Sequence, residues 1–298
     1  MNILITNITL SGNSGTEMYV KELALELKRR GHCVEVFTML IGRTGDELIS
    51  EDINVVDKLK RLKNKPDIIH AHHNLVTQKA AFFFKHTPII FFLHDRTAGF
   101  DHPFLHKNII RYLAVDYNCR ERYFLENNFI KDEIQVIFNW FNAERFSLKD
   151  HINQVPKKAL FFSNYIKSGI IFNEVKDACS EAGIDLDIIG NESGRPCFKP
   201  EEILGNYDLV FGKAKAGIEA MATGACFIVC DYRGLGEMIT SINMEYCRTY
   251  NFGMKLMQNP IKKELILQEI KKYDSHEIKK VSLYIRNTSN LFSIVSEI

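Results

Sequence analysis

Apolar residues in this chain gather into short runs, and between those runs they recur at helical spacing. The runs Met1–Thr6, Val34–Thr38, Pro66–His73, Pro88–Asp95, Tyr112–Asp116 and Ile134–Phe138 are bounded by turn residues, as are Ala159–Ser163, Asp185–Gly190, Tyr207–Phe211 and Cys226–Cys230. Such runs, apolar without strict alternation, mark parallel strands covered on both faces. Between the first two, Val20, Leu23, Ala24 and Leu27 fall on one face of a helix over Glu17–Arg30, which Gly31 ends. The opening is therefore a βαβ unit, and Ala159–Ser163, a helix over Gly169–Ala182 and Asp185–Gly190 repeat it. From Lys262 onward, Leu265, Ile266, Ile270, Ile278, Val281, Ile285 and Leu291 keep helical spacing. Strands alternating with helices throughout predict an α/β protein.

The 298 residues, 46% of them hydrophobic, suffice for two modest cores. A polar stretch over Ser147–Lys158, with Asp150, His151, Asn153, Gln154 and Pro156, reads as a linker. Residues 1–148 are thus expected as one domain, 149–275 as a second, and 276–298 as a C-terminal helix. A net charge of +1 gives no reason to invoke nucleic acid. The cluster Lys58, Lys60, Arg61, Lys63 and Lys65 reads first as a solvated helix and second as a peripheral contact with a membrane surface. No apolar run approaches the roughly 18 residues of a membrane span, and the chain opens on a strand where a signal peptide would stand. Seven cysteines, an odd number with several in strands or helices, are expected as reduced thiols, which points to the cytoplasm.

Candidate chemistry lies at strand ends. Gly212–Gly217 hold two glycines, two alanines and two lysines between a strand and a helix. Amides at that helix start can approach an anion closely while Lys213 and Lys215 supply charge, so a diphosphate fits; a solvated turn is the plainer use of the lysines. Glu219 stands alone among Ile218, Ala220, Met221 and Ala222, where a carboxylate can accept hydrogen bonds from a ribose diol or merely complement the helix dipole. In the first βαβ unit the small-residue loop Ser11–Thr16 places Gly12 and Gly15 at the carboxyl end of a strand, where open parallel sheets bind ligands. A nicotinamide enzyme is disfavoured, because Gly12 and Gly15 give only G-x-x-G and the second strand ends Phe37-Thr38-Met39 without the acid that holds a ribose.

Histidines close two further strands: His70, His72 and His73, then His94. Alternation puts His70 and His72 on one face, but zinc needs further ligands, for which Asp95, Asp101 and His102 are the offers, and no metal is expected. Thr97–Phe100 reads as a mobile loop near His94. The plainer use of His94 is to cap that loop.

The stretch Tyr207–Thr240, through Asp208, Glu219, Ala220, Met221, Ala222, Gly224, Asp231, Gly234 and Glu237, resembles the second domain of the retaining GT-B glycosyltransferases, group 1, family 4-like. The N-terminal strand, its glycine loop, Glu17 and Gly31-His32-Cys33-Val34 are similar to the first domain of that family, and Asn139–Phe146 is similar to the segment near its end. The resemblance implies a GT-B fold, two Rossmann-like domains with parallel sheets facing across a cleft, and the C-terminal helix over 276–298 packing back toward the first domain. It implies Glu219 on the ribose of a nucleotide sugar and Gly212–Gly217 on its diphosphate. Asn164 and Lys167 fall where the family carries diphosphate contacts, Gly190 opens a loop lining the base, and His94 looks toward the reacting sugar. Two positions depart from the pattern: Phe211 stands where many members have a sugar-side glutamate, and no arginine matches the one that precedes Lys167 in the family.

The expected function is glycosyl transfer from a nucleoside-diphosphate sugar to a glycan, lipid or small-molecule acceptor, with retention implied by the resemblance and with neither cofactor nor metal. Two other classes stay open. A nucleotide-sugar epimerase shares the architecture and would rely on acids such as Asp95 and Glu237. A catalytically silent nucleotide-binding or partner protein is favoured by Phe211 and the missing arginine.

Overall fold

The first apolar run folds as β1 (Asn2–Leu10), whose central Leu4 and Ile5 are buried under helices. The computed structural model describes residues 1–127, 133–166 and 169–298. They divide into two units, Met1–Phe138 with Val295–Ile298, and Asn139–Ile294.

In the first unit β1 is followed by α1 (Gly15–Arg29), β2 (Cys33–Ile41), α2 (Arg43–Ser50), β3 (Asn54–Val56), β4 (Ile68–His72) and α3 (Asn74–Phe83). Then come β5 (Ile89–Leu93), β6 (Ile109–Ala114), α4 (Tyr117–Asn127) and β7 (Ile134–Val136). Seven parallel strands pair in the order β3-β2-β1-β4-β5-β6-β7. The order turns between β1 and β4, which sets the loops after those strands beside each other at the carboxyl edge. The basic cluster is not a helix: only Leu59–Arg61 make a single 3₁₀ turn, and the N–H groups of Lys63 and Asn64 donate to the buried Glu35 carboxylate at 2.9 Å each. A long-range acceptor has overridden the local pattern.

The second unit runs β8 (Lys158–Phe162), α5 (Ile170–Glu181), β9 (Asp185–Ile189), β10 (Leu209–Gly212), α6 (Lys215–Ala222), β11 (Cys226–Asp231) and β12 (Gly234–Met238). The helices α7 (Met244–Thr249), α8 (Lys263–Ile270), α9 (Ser275–Thr288) and α10 (Leu291–Ile294) complete it. Its five strands pair in the order β12-β11-β10-β8-β9, and only β12 runs antiparallel. Only Tyr232 and Arg233 separate β11 from β12, so Gly234 lies in a strand. Leu160, Val210 and Phe227 enter one apolar cluster with residues of α6 and α9, while Phe161, Phe211 and Ile228 enter another with residues of α5 and α8. Neighbouring residues on one strand thus bury on opposite faces, which is why these strands read as unbroken apolar runs.

The division between units falls at Phe138 and Asn139, and the polar stretch Ser147–Lys158 lies within the second unit. Its polarity serves a buried acid. Asp208 accepts hydrogen bonds from Asn153 Nδ2 at 2.9 Å and from the Lys157 and Lys158 amides at 2.8 and 3.2 Å, while Lys149 Nζ donates to the Tyr207 carbonyl at 3.0 Å. The region expected as one C-terminal helix is divided, with α9 capped by Asp274 through the His276 and Glu277 amides. Val295–Ile298 then belong to the first unit, where Arg30 Nη1 donates to Ser296 Oγ at 3.0 Å.

Helix α6 lies so close to β11 that a Cβ on Gly217 would stand 2.4 Å from the Phe227 ring. Gly217→Ala should therefore lower the stability of the second unit by about 1–3 kcal/mol, measured as a fall in the urea midpoint. An unchanged midpoint would show that the ring yields without cost.

Candidate functional site

In the second unit the strand order turns between β8 and β10, and α6 starts directly after β10 at the same edge. Only Lys213 and Ala214 join β10 to α6, and Ala214 takes φ 51°, a value that L residues rarely adopt. That tight turn brings the amino end of α6, with its positive dipole, to the carboxyl edge of the sheet. The lysines there are paired. Lys213 Nζ lies 2.6 Å from Asp231 Oδ2 and against the rings of Tyr165 and Tyr232, 4.3 and 4.9 Å from their centroids. Asp231, buried at the end of β11, also accepts from Ser163 Oγ at 2.6 Å. Lys215 Nζ donates to the Trp140 carbonyl at 2.9 Å and lies 3.5 Å from Glu219 Oε1 one turn along the helix. Glu219 is 5% exposed, so its carboxylate is held at the edge of the core beside a cation.

Both glycines in the turn have a packing reason of their own. A Cβ on Gly212 would meet the Phe162 carbonyl at 2.9 Å, and Gly217 lies against Phe227 as described. Gly190 has φ +142° and its Cβ would fall 1.8 Å from the Ser163 carbonyl oxygen, so the loop after β9 must cross the end of β8 at this residue. Asn164 holds that loop, its Oδ1 accepting from the Asn191 amide at 3.2 Å. Lys167 lies outside the described residues. Phe211 points into the core beside Phe161, ring centroids 6.0 Å apart, so with so short a turn the position of the family's sugar-side glutamate is an interior strand position here. Asp231 and the Tyr165–Tyr232 pair were not singled out as site residues. An acid closing the apolar run Phe227–Cys230 was the signal for the first, and nothing in the sequence marked the second.

In the first unit the glycine loop closes on itself. The Glu17 carboxylate accepts from the amides of Ser11, Gly12 and Ser14 at 2.7, 2.8 and 2.8 Å, so the Gly12 N–H already has a partner. A Cβ on Gly15 would meet nothing within 4 Å. The histidines, in contrast, converge. β4 and β5 pair with His72 opposite Phe92, so His94, just past β5, comes beside His72. His72 Nδ1 lies 2.6 Å from His94 Nε2, and His72 Nε2 lies 3.0 Å from His70 Nδ1. Phe92 stacks on the His94 ring at 4.7 Å between centroids and Tyr19 meets it edge-on at 4.7 Å. His73, with φ 62°, accepts the Ile8 amide on Nδ1 at 3.2 Å.

The ring nitrogens thus bond to one another, and the acids expected as further zinc ligands are engaged with backbone. Asp101 Oδ2 accepts from the His94 and Asp95 amides at 2.5 Å each, and Asp95 Oδ1 accepts from Thr97 and Ala98 at 2.6 and 2.7 Å. His102 Nε2 lies 3.2 Å from Glu126. Among the described residues no three His, Cys, Asp or Glu side chains are grouped so as to hold a metal ion. The Thr97–Phe100 stretch, expected as a mobile loop, is tethered by these caps and by Arg122, which donates to the Asp95 and Ala98 carbonyls at 3.0 and 2.8 Å. No helix among the described residues is long and apolar enough to cross a membrane.

Residues 13–145 match the family described as Glycosyltransferase Family 4. No curated protein sequence matches the chain. Among solved structures the chain is similar to HepE of Anabaena in complex with UDP-glucose, at 14% identity and a TM-score of 0.68, with 100% of this chain and 98% of that one covered. It is similar to a glycosyltransferase from Rickettsia africae ESF-5 at 16% identity and 0.64, covering 99% and 96%. A UDP-N-acetylglucosamine 2-epimerase follows at 15% identity and 0.58, covering 99% and 94%. These are likenesses of fold, and the fold, with two sheets of mostly parallel strands, matches that of GT-B glycosyltransferases.

Burial pushes His70 and His73 down to about 4 and holds His72 and His94 well below the usual imidazole range, while it raises Asp101 to about 7. An unfolded chain protonates its imidazoles near 6.5, so the four neutral rings contribute stability that is present above that value and lost as pH falls toward 4. Asp101 acts in the opposite sense, its contribution being lost as pH rises through about 7. Four rings outweigh one carboxyl, so the first unit should weaken on acidification from pH 7 to pH 5, each ring contributing about 1.4 kcal/mol per pH unit where it is fully suppressed. Urea midpoints across this range test it, and His70→Asn should flatten the slope.

Proposed function

We propose that the chain is a glycosyltransferase that takes its sugar from a nucleoside diphosphate, the nucleotide resting on the second unit and the acceptor on the first. The observation that carries this reading is the arrangement at the start of α6: a helix amino end, two lysines and the buried Glu219 beside the turn in strand order. The match of residues 13–145 to a glycosyltransferase family supports it from the other half of the chain. Structural relatives solved with UDP-glucose fit a nucleotide-sugar donor.

In this reading Glu219 accepts hydrogen bonds from the ribose hydroxyls. Lys215, with Nζ 3.5 Å from Glu219 Oε1, helps to hold that carboxylate in place. The diphosphate rests on the first amides of α6, with Lys213 donating one of its three ammonium hydrogens to Asp231 and offering the others to phosphate oxygen. Charge accumulates on this diphosphate as the glycosidic bond breaks, so a helix dipole and a fixed ammonium stabilise the transition state more than the ground state. Gly190 and Asn164 shape the loop that receives the base. His94 contacts the reacting sugar, transfer proceeds with retention, and the scheme requires no metal ion. The place of action is the cytoplasm, at a membrane surface where the acceptor is a lipid.

A nucleotide-sugar epimerase is the second reading, favoured by the fold likeness to the 2-epimerase. It differs in producing an altered sugar nucleotide with no acceptor present.

A thermal-shift panel of nucleoside diphosphates and their sugars should yield one stabilising member, and a panel without any shift would remove the proposal. Glu219→Ala should abolish the shift. His94→Ala should keep it and lower turnover about a hundredfold, the effect of losing one aimed donor; unchanged turnover would take His94 out of the site. Product forming without an acceptor would favour the epimerase.

A further inference from the structure

The three rings His70, His72 and His94 form one hydrogen-bonded chain, His70 Nδ1 to His72 Nε2 at 3.0 Å and His72 Nδ1 to His94 Nε2 at 2.6 Å. A neutral imidazole carries one proton, on one nitrogen or the other, and each of the two gaps needs one proton in it. The direction of the whole chain is therefore decided at its inner end. There, His70 Nε2 is buried without a partner. A proton on Nε2 would be a buried donor with no acceptor, which folded proteins tolerate less than the bare ring lone pair left there when the proton sits on Nδ1 and points at His72 Nε2.

With the proton of His70 on Nδ1, His72 must accept on Nε2 and carry its own proton on Nδ1, and His94 must accept on Nε2 in turn. We infer that His70 and His72 are positioning residues that fix His94 as the Nδ1–H tautomer, a hydrogen-bond donor toward any ligand at the carboxyl edge of β5. Burial keeps all three rings neutral, so no second proton enters the chain. The ring is also clamped between Phe92 and Tyr19, which leaves rotation about Cβ–Cγ no room to exchange the two nitrogens. His94 cannot serve as a proton acceptor in this state, because its one lone pair is taken by His72. The group it meets must be an acceptor: a sugar hydroxyl oxygen or a phosphate oxygen. This consequence for the ligand rests on the proposed placement of His94 beside the reacting sugar, whereas the tautomer itself does not.

The test is a long-range proton–nitrogen spectrum of the full chain labelled with ¹⁵N in histidine, recorded without ligand near pH 7.5. The His94 signals, identified by their loss in His94→Asn, should show a protonated Nδ1 and a bare Nε2. The opposite pattern, or an imidazolium, overturns the inference. His72→Asp puts an acceptor-only group where Nδ1 stood and should reverse the His94 pattern, while His72→Asn, whose amide can donate from that position, should preserve it. A folded His72→Asp protein with an unchanged His94 pattern also overturns the inference, and if that variant fails to fold the wild-type spectrum decides alone. A bare Nε2 together with no response to any sugar nucleotide would retire the proposed function and leave the relay standing.

Discussion

Parallel pairing is the constraint on which both candidate sites depend. All seven strands of the first sheet, and all but β12 in the second, run the same way, so their carboxyl ends collect along one edge of each sheet. Residues far apart in the chain then become neighbours by register alone. His72 and His94 meet because β4 and β5 are adjacent and in step. Ser163, Lys213 and Asp231 meet because β8, β10 and β11 end together. The side chains need only be the last polar residues on apolar strands, a cheap requirement for a sequence to meet and one that leaves the interior of the sheet free to pack.

The same fact explains how much could be read from the sequence. The strands were legible because burial on both faces forces an apolar run, and the helices because their periodicity is local. Partnerships at the edge were less legible. That Glu219 and Lys213 stand near a helix start follows from spacing, but that Lys213 is already held by Asp231 between two tyrosines depends on three other segments. Glu17 illustrates the same limit from the other side: a loop of small residues that reads as open to a ligand has three of its amides engaged by an acid in the next helix. The stretch Ser147–Lys158 looked like a linker because it is polar, yet its polarity answers the buried Asp208. Polarity in a sequence reports a need for partners and does not say whether water or protein supplies them.

The second unit compensates its charges in pairs. Lys213 with Asp231 and Lys215 with Glu219 make two buried or half-buried couples at one edge, so the amino end of α6 presents fixed dipoles without a large excess of charge. Such an arrangement keeps the lysines ordered, held by rings and carbonyls, so that little rearrangement is needed when an anion arrives.

The path of the chain carries a consequence for its biosynthesis. Because Val295–Ile298 complete the unit begun by Met1, the second unit is an insertion within the first. Val295, 4% exposed, is made only after every strand of both sheets has left the ribosome. The core around β1 therefore cannot close on local contacts alone and waits for a segment from far along the chain to join it.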